Sequence, residues 1–180
     1  NTYFFAREAN RNSILRQMRD AQTRILESAW QARIDRSPLQ SMDEALVLAS
    51  IVEKETGVGS ERGLVAGVFV NRLNRGMRLQ SDPTIIYGIT KGQGPLGRGI
   101  RRSEITKPTP WNTYVIDRLP PTPIANPGRA AIEAVLNPDE TEALYFVADG
   151  TGGHAFAKTL REHERNVAEW RKIERQRASE

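Results

Sequence analysis

The chain has 180 residues, of which 38% are hydrophobic and 27% charged, and its formal net charge is +4. This size suits one domain, and the apolar fraction is sufficient for a hydrophobic core. No stretch approaches the roughly 20 apolar residues that span a bilayer. Because the chain has no cysteine, disulfides, thiolate nucleophiles and Cys-ligated zinc are excluded. The small basic excess is spread along the chain, which favours a solvated surface over a nucleic-acid interface.

The N-terminal part is predicted to be a short strand-like run followed by a helix. Residues 1–5 contain an aromatic run typical of a strand. Between residues 14 and 30, apolar side chains recur at helical spacing, and Asn12 or Ser13 is a candidate N-cap.

Two further helices are predicted in the next forty or so residues. Ser41 and Glu44 have the spacing of a capping box, in which each side chain satisfies a backbone donor of the other residue. They predict a helix over residues 43–56, and its almost wholly apolar centre indicates that it is buried. A third helix is predicted over residues 61–74, with Gly76 as its end.

The chain changes character between residues 77 and 128, which contain eight of its ten prolines. We expect a long ordered loop region with short strands here, and loops of this length in a compact domain are usually functional. Asn126 and Pro127 are then predicted to start a short helix, as its cap and its first-turn proline.

The C-terminal part is predicted to be a hairpin followed by a helix. Residues 144–148 and 155–158 are the candidate strands, and a glycine-rich turn joins them. A last helix is predicted from Leu160 to the end of the chain. The fold class is therefore α+β, with a helical core, short β-strands and a long Pro/Gly-rich loop region.

The most informative feature is Glu55, at the end of the buried helix. At 100° per residue it lies on the face of Leu48, Ile51 and Val52, whereas Glu53 points about 200° away from it. A carboxyl group on an apolar face has a raised pKa, which suits a general acid at neutral pH. The alternative is that the helix end frays and Glu55 is solvated or paired with an arginine, either Arg62 or Arg72.

Two polar clusters are candidates for sugar binding. Residues 80–84 (QSDPT) carry short polar side chains, and residues 111–114 (WNTY) combine such side chains with aromatic rings. Sugars stack their C–H faces on rings and bind amides and hydroxyls at their edges. The alternatives are turn chemistry for the first cluster and a core role, or base stacking, for the aromatic residues of the second.

The residues do not indicate a metal or cofactor. His154 and His163 are the only histidines, and no carboxylate spacing around them resembles a zinc site. The glycine-rich run at residues 150–153 has no following Lys-Ser/Thr, so it predicts a hairpin turn rather than a phosphate loop. No Gly-x-Ser-x-Gly elbow is present, so acyl-transfer chemistry is not indicated.

Several blocks of the chain, in order, resemble the YceG-like family. They are LASIVEKE at 48–55, VFVNRL at 68–73, GMRLQSDPT at 76–84, WNTY at 111–114, LPP at 119–121, IANPG at 124–128, LYFVA at 144–148 and GTGGHAF at 150–156. The resemblance extends from Thr2 to about Asn166 and implies a lysozyme-like catalytic helix.

The resemblance also implies an activity. Members of this family cut peptidoglycan glycan strands internally, between N-acetylmuramic acid and N-acetylglucosamine, and leave 1,6-anhydromuramic ends. Lytic transglycosylases use one glutamic acid, which protonates the glycosidic oxygen and then removes a proton from the muramic C6 hydroxyl. The pattern around residues 51–56 aligns Glu55 with this residue, in agreement with the helical-face argument, and Glu53 is the alternative.

The resemblance further implies a set of substrate-binding residues that line the glycan cleft. The candidates are Asn71, Arg72, Gln80, Ser81, Asp82, Thr84, Asn112, Thr113, Tyr114, Asn126 and His154. Some of them have structural alternatives: Arg72 could pair with Glu53 or Glu61, and Asn126 and His154 could be cap or turn residues.

The sequence therefore favours an endolytic lytic transglycosylase, with residues 1–180 as its catalytic domain. The alternative is a non-catalytic glycan-binding or scaffold module of the cell-wall synthesis machinery. The expected partners are glycan strands and peptidoglycan synthases (penicillin-binding proteins), with no nucleic acid, metal or cofactor. The resemblance implies a single-pass protein of the inner membrane, with this domain in the periplasm and with a membrane helix and a LysM-like domain preceding it. Membrane contact is then expected only through that helix.

Overall fold

The computed structural model of the chain describes residues 2–35 and 37–177, which form an α+β fold. The elements in chain order are α1 (Arg11–Gln31), α2 (Met42–Glu55), a 3-10 turn (Gly59–Glu61), α3 (Arg62–Asn74), α4 (Asp82–Thr90), α5 (Arg102–Ile105), α6 (Arg129–Leu136), β1 (Tyr145–Ala148), β2 (His154–Ala157) and α7 (Leu160–Arg177). The α+β class is confirmed. The last predicted helix is also present, although its expected continuation to the chain end concerns residues 178–180, outside the described residues.

Helix α2 lies at the centre of the core, as its apolar sequence predicted. Leu48, Ile51 and Val52 are completely inaccessible to solvent, and the helix packs against α3, α4 and α6, while α1 packs against α6. The Ser41 side chain caps α2 by accepting a hydrogen bond from the Glu44 N–H at 3.1 Å. Burial of this apolar helix stabilises the domain and holds its last residue in a fixed position.

Helix α3 ends where Gly76 was expected to end it. Gly76 has a φ of +65°, a conformation that side chains with a Cβ rarely adopt. The next residue, Met77, donates its N–H to the Arg72 carbonyl at 2.8 Å, which closes the helix end.

Four local predictions were wrong. Helix α1 is capped by Asn10, whose side chain reaches the Ser13 N–H at 2.9 Å, and not by Asn12 or Ser13. Residues 2–5 form no strand, because no other described strand pairs with them. Asn126 is not a cap either, since α6 begins later and its N-cap is Gly128.

The fourth error concerns residues 77–128, which contain two helices and, within the described chain, no strand. Helix α4 begins at Asp82-Pro83, for which turn chemistry was one of the two interpretations. Proline has no backbone N–H, but the N–H groups in the first turn of a helix have no partner within the helix, so proline costs no hydrogen bond there. The same residues therefore serve as a helix start.

The long loop after α5 is held in place by Asn112, which is buried. Its amide nitrogen lies 2.9–3.2 Å from the carbonyl oxygens of Glu104, Ile105 and Lys107. Its amide oxygen accepts a hydrogen bond from the Tyr114 N–H at 3.0 Å. The Asn112 side chain thus forms hydrogen bonds with backbone groups that precede it and follow it in the loop.

Replacing Asn112 by Ala should therefore lower the free energy of unfolding by about 2–4 kcal/mol, because it removes a buried side chain that bonds three partly buried carbonyl groups. Urea unfolding measures this change. Asn126→Ala, at an exposed position, is the matched control and should change stability by less than about 0.5 kcal/mol. Equal stabilities of the two variants would contradict the role of Asn112.

The two strands form an antiparallel hairpin that stands beside α3. Tyr145 pairs with Ala157 and Ala148 with His154, which agrees with the predicted strands to within one residue. The Phe146 ring packs edge-on against Phe69 of α3, with 5.7 Å between the ring centroids. Helix α7 packs across both strands, so the hairpin and α7 together build one wall next to the end of α2. Within the described residues, no helix combines the length and hydropathy needed to cross a bilayer.

Candidate active site

Glu55 is the last residue of α2 and lies in a cleft of about 460 Å³, the first cleft. One wall comes from Leu79, Gln80, Asp82 and Tyr114, and the other comes from the hairpin and α7. The lining residues are Glu55, Phe69, Arg72, Leu79, Gln80, Asp82, Tyr114, Tyr145, Phe146, Val147, Ala148, His154, Leu160, His163 and Val167. The cleft therefore combines one carboxyl group at the helix end with aromatic side chains, a combination suited to a carbohydrate.

The environment of Glu55 favours its protonated form. The pKa of this carboxyl is raised to about 7, mainly by burial and to a smaller extent by the nearby Asp82 carboxylate. Two effects oppose this rise, namely a 2.5 Å hydrogen bond from the Ser81 hydroxyl to Oε1 and the more distant charge of Arg72. Among the described residues Glu55 forms no ion pair, so the alternative pairing with Arg62 or Arg72 is not made.

This raised pKa has a consequence for stability. Folded Glu55 keeps its proton up to about pH 7, whereas an ordinary glutamic acid loses it near 4.5. The folded state therefore binds more protons between these values, and the free energy of unfolding falls as pH rises through them, by up to about 3 kcal/mol. Glu55→Gln cannot ionise, so we expect it to be about 1–3 kcal/mol more stable than the parent at pH 8 and similar to it at pH 4.

Urea unfolding of both proteins at pH 4 and pH 8 measures this difference, in which the contributions of all other titrating groups cancel. A stability difference that does not change with pH would contradict a raised pKa for Glu55.

Ser81 is itself held by buried hydroxyl groups. Its N–H donates to Thr113 Oγ1 at 2.9 Å, and its carbonyl accepts from Thr84 Oγ1 at 2.6 Å. The two threonine hydroxyls lie 2.9 Å apart. Thr84 and Thr113 are fully buried, so they fix the position of Ser81 and, through it, the Glu55 carboxyl.

Arg72 also lines the first cleft, and backbone carbonyl groups hold its side chain in place. Its guanidinium donates to the carbonyl oxygens of Leu144 at 2.6 Å and Leu79 at 2.7 Å, and it lies over the Tyr145 ring. The residue is buried, and this burial lowers its pKa below the usual value. Among the described residues it pairs with neither Glu53 nor Glu61. Arg72 therefore ties the hairpin to residues 78–80 across the cleft.

Asp82 and Tyr114 form a hydrogen-bonded pair on the wall that faces the hairpin and α7. The Tyr114 hydroxyl donates to Asp82 Oδ1 at 2.6 Å. Burial, and secondarily this hydrogen bond, raise the pKa of Tyr114 well above its ordinary value, so its hydroxyl is a neutral donor. Gln80, which precedes them in the wall, has a φ of +51°, a strained conformation for a residue other than glycine and one that is common at functional sites.

The structure brings Arg72, Gln80, Asp82, Tyr114 and His154 to the first cleft with Glu55. The other predicted site residues do not line this cleft. Three of them, Ser81, Thr84 and Thr113, form the hydrogen-bond network that holds the Glu55 carboxyl. Asn71 donates to the carbonyl oxygens of Thr141 and Ala143, Asn112 anchors the loop described above, and Asn126 is exposed beside another cavity, together with Glu53.

The two candidate acids thus face different surroundings. Glu53 accepts a hydrogen bond from the Gly128 N–H at 3.1 Å and lines the cavity between α1 and residues 126–128. Glu55 opens to the first cleft with the aromatic residues. This difference agrees with the positions of the two glutamates on opposite faces of α2.

Sequence reasoning missed Glu61 as a partner of His154. Its carboxylate accepts from the His154 N–H at 3.1 Å and lies 2.8 Å from His154 Nδ1. The two residues are far apart in sequence, so no spacing signal connects them. It also missed His163, whose ring stacks on Tyr145 with 5.2 Å between centroids. Burial, followed by the charge of Arg72, lowers the pKa of His163. Across the described chain, no three His, Asp or Glu side chains are grouped so that they could hold a metal ion.

A carboxyl group with a raised pKa in an open, aromatic-walled cleft is a feature of enzymes that cleave glycosidic bonds. Comparison with known sequences agrees with this class. The sequence model of the YceG-like family matches residues 1–169. The chain belongs to the YceG-like family.

Two curated relatives and one solved structure are similar to the chain. The endolytic murein transglycosylase of Bacillus subtilis (strain 168) is 40% identical over 123 residues, which are 68% of this chain and 33% of the relative. The endolytic murein transglycosylase of Streptococcus pneumoniae serotype 2 (strain D39) is 42% identical over 135 residues, 72% of this chain and 24% of the relative. The chain thus spans a third or less of the length of these relatives.

The solved structure is that of the yceG-like protein lmo1499 from Listeria monocytogenes. It superposes with a TM-score of 0.70 at 31% sequence identity, over 91% of this chain and 51% of that one. The two proteins therefore share the fold described above over nearly the whole of this chain.

Proposed function

We propose that this domain is the catalytic part of an endolytic murein transglycosylase. Its substrate is the glycan strand of peptidoglycan, and the bond cut is the β-1,4 bond between N-acetylmuramic acid and N-acetylglucosamine. The observation that carries the proposal is Glu55, a carboxyl with a pKa near 7 in a cleft that suits sugars. The names of the two relatives support the substrate class and the type of cleavage.

In the first step, protonated Glu55 donates its proton to the glycosidic oxygen. The bond between this oxygen and C1 of the muramic acid breaks, and the leaving sugar departs with a hydroxyl group. A pKa near 7 leaves a large share of Glu55 protonated at neutral pH, which is what a general acid requires. Ser81 donates to Oε1, and Oε2 has no hydrogen-bond partner among the described residues, so Oε2 is the oxygen that we assign to proton transfer.

In the second step, the muramic C6 hydroxyl attacks C1 and gives its proton to the Glu55 carboxylate. A new C6–O–C1 bridge closes the 1,6-anhydro ring, and Glu55 is protonated again without water. The hydrogen bond from Ser81 stabilises the carboxylate between the two steps. One carboxyl therefore suffices, in contrast to the acid pairs of most glycosidases.

We assign the walls of the first cleft to substrate binding. Gln80, Asp82, Tyr114 and His154 offer hydrogen-bond partners for hydroxyl and N-acetyl groups, and the nearby aromatic rings offer faces for sugar C–H bonds. Arg72 acts as a positioning residue, because its guanidinium is used by backbone carbonyls.

The proposal extends to the cellular setting that the family implies. The domain would act on the periplasmic side of the inner membrane, held there by an N-terminal helix after which a LysM-like domain follows. Peptidoglycan synthases would supply the nascent strands that it cuts. Membership of the YceG-like family supports this setting.

The reaction is tested by digesting purified peptidoglycan glycan strands with this domain and weighing the products by mass spectrometry. We expect fragments that end in 1,6-anhydromuramic acid, lighter by one water than the corresponding reducing sugars. Reducing ends would show hydrolysis and would overturn the single-carboxyl mechanism. Binding without any cleavage would instead support a glycan-binding or scaffold module.

A further inference from the structure

A second cleft, of about 260 Å³, also reaches Glu55. It shares Glu55, Ala148 and His154 with the first cleft, so the two clefts meet at the carboxyl group. Its other lining residues belong to the end of α2, the turn of the hairpin and α7, namely Thr56, Gly57, Gly150, Gly152, Gly153, Trp170 and Arg177. Glu55 therefore lies at the junction of two openings rather than at the end of one.

The floor of the second cleft is a turn with little side-chain bulk, held in one conformation. The Asp149 carboxylate accepts hydrogen bonds from the N–H groups of Thr151 at 2.7 Å and Gly153 at 3.3 Å. Gly150 has a φ of +87°, and a Cβ at this position would lie 2.8 Å from the Ile173 side chain of α7. The turn therefore packs directly on α7 at Gly150, whereas a Cβ at Gly152 would meet no atom within 4 Å.

Trp170 is the aromatic residue of the second cleft. It is half-buried on α7 and does not belong to the hydrophobic core. The guanidinium of Arg177 lies 6.0 Å from the ring centroid and also donates to the Gly150 carbonyl. Arg177 thus links the Trp170 side of α7 to the turn, and the ring lines the cleft between them, where it can act as a stacking surface.

We propose that the second cleft binds the sugar on the other side of the scissile bond from the sugars in the first cleft, with Trp170 as its stacking surface. This inference rests on the proposed function, since it concerns the same glycan strand. A glycan strand that is cut internally has sugars on both sides of the broken bond. Because Glu55 lies where the two clefts meet, each cleft can hold the sugars on one side of that bond. The match to the family ends at residue 169, so Trp170 lies just outside the matched region.

The test uses glycan strands freed of stem peptides and a Glu55→Gln background, in which the strands are bound and not cut. Trp170→Ala should weaken strand binding by about tenfold, because the stacking surface is lost. Trp170→Phe keeps a ring and should restore most of the affinity. Arg171→Ala, at the neighbouring exposed position of α7, is the matched control and should bind like the parent.

Tryptophan fluorescence provides a measurement that does not depend on the alanine variant folding. In the Glu55→Gln background, glycan strands should change the tryptophan emission, and Trp170→Phe should abolish this change although Trp30 and Trp111 remain. In the active protein, Trp170→Ala should raise KM for long strands with a smaller effect on kcat.

The outcomes separate this inference from the proposed function. If strand binding depends on Trp170 but the domain does not cut the strands, the proposed reaction is contradicted and the proposed binding site is supported. Equal affinities of the parent and Trp170→Ala would overturn the inference even if cleavage is observed. An emission change that persists in Trp170→Phe would also overturn it.

Discussion

Glu55→Gln should lower the rate of glycan-strand cleavage by about 10³-fold, because the substitution keeps the shape of the side chain and removes the proton that it transfers. The amide oxygen can still accept the hydrogen bond from Ser81, so the geometry of the cleft should be preserved. Strand binding should therefore change little. The measurement is single-turnover cleavage of labelled glycan strands together with their equilibrium binding.

Glu53→Gln is the matched control, since Glu53 lies two residues away on the same helix and faces a different cavity. We expect it to retain most of the activity. A large loss of activity in Glu53→Gln, with Glu55→Gln unaffected, would move the catalytic role to Glu53. Equal and moderate losses in both variants would indicate that neither carboxyl transfers the proton.

Arg72→Met should have the largest effect on stability, lowering the free energy of unfolding by about 3–5 kcal/mol. The guanidinium supplies buried carbonyl oxygens of Leu79 and Leu144 with their donors. Methionine fills a similar volume but donates no hydrogen bond, so these carbonyls would remain buried and unsatisfied. Thermal and urea unfolding measure the change, which should be accompanied by loss of activity as the walls of the cleft separate.

Arg75→Met is the control for this prediction, because Arg75 is exposed at the end of the same helix. It should change stability by less than about 0.5 kcal/mol. Full stability of Arg72→Met would show that the backbone at the cleft does not depend on the guanidinium. A substrate-binding role for Arg72 would then regain support over a positioning role.

The elements that could be predicted from the sequence are those whose signals are local. Ser41 at the start of α2, Gly76 at the end of α3 and the glycine-rich turn of the hairpin each act through their own or neighbouring backbone groups. The apolar run of α2 similarly predicts burial without knowledge of its partners. Glu55 could be found in the same way, since its helical face depends only on the residues before it.

The elements that could not be predicted depend on contacts with distant residues. An aromatic run at residues 1–5 forms a strand only if another strand accepts it, and none of the described strands does. Asp82-Pro83 can begin a turn or a helix, and the choice at this position depends on packing against α2. The Glu61–His154 pair joins residues from the 3-10 turn and from β2, which only the fold brings together.

The polar candidates illustrate the same limit within the site. Short polar side chains in a loop suit sugar recognition and loop anchoring equally well. Asn112 and Thr113 turned out to be buried and bonded within the protein, whereas Tyr114, the next residue, lines the first cleft. The path of the loop therefore decides which of these neighbouring residues is buried as a structural support and which lines the cleft.

The most direct test of the account is a titration of the Glu55 carboxyl by ¹³C NMR, with Glu55→Gln used to assign its signal. The midpoint should lie near pH 7, well above that of an ordinary glutamic acid. The rate of cleavage should fall above this pH with the same midpoint. A Glu55 titration near pH 4.5 would contradict the account, because the group would then be ionised where the proposed reaction requires an acid.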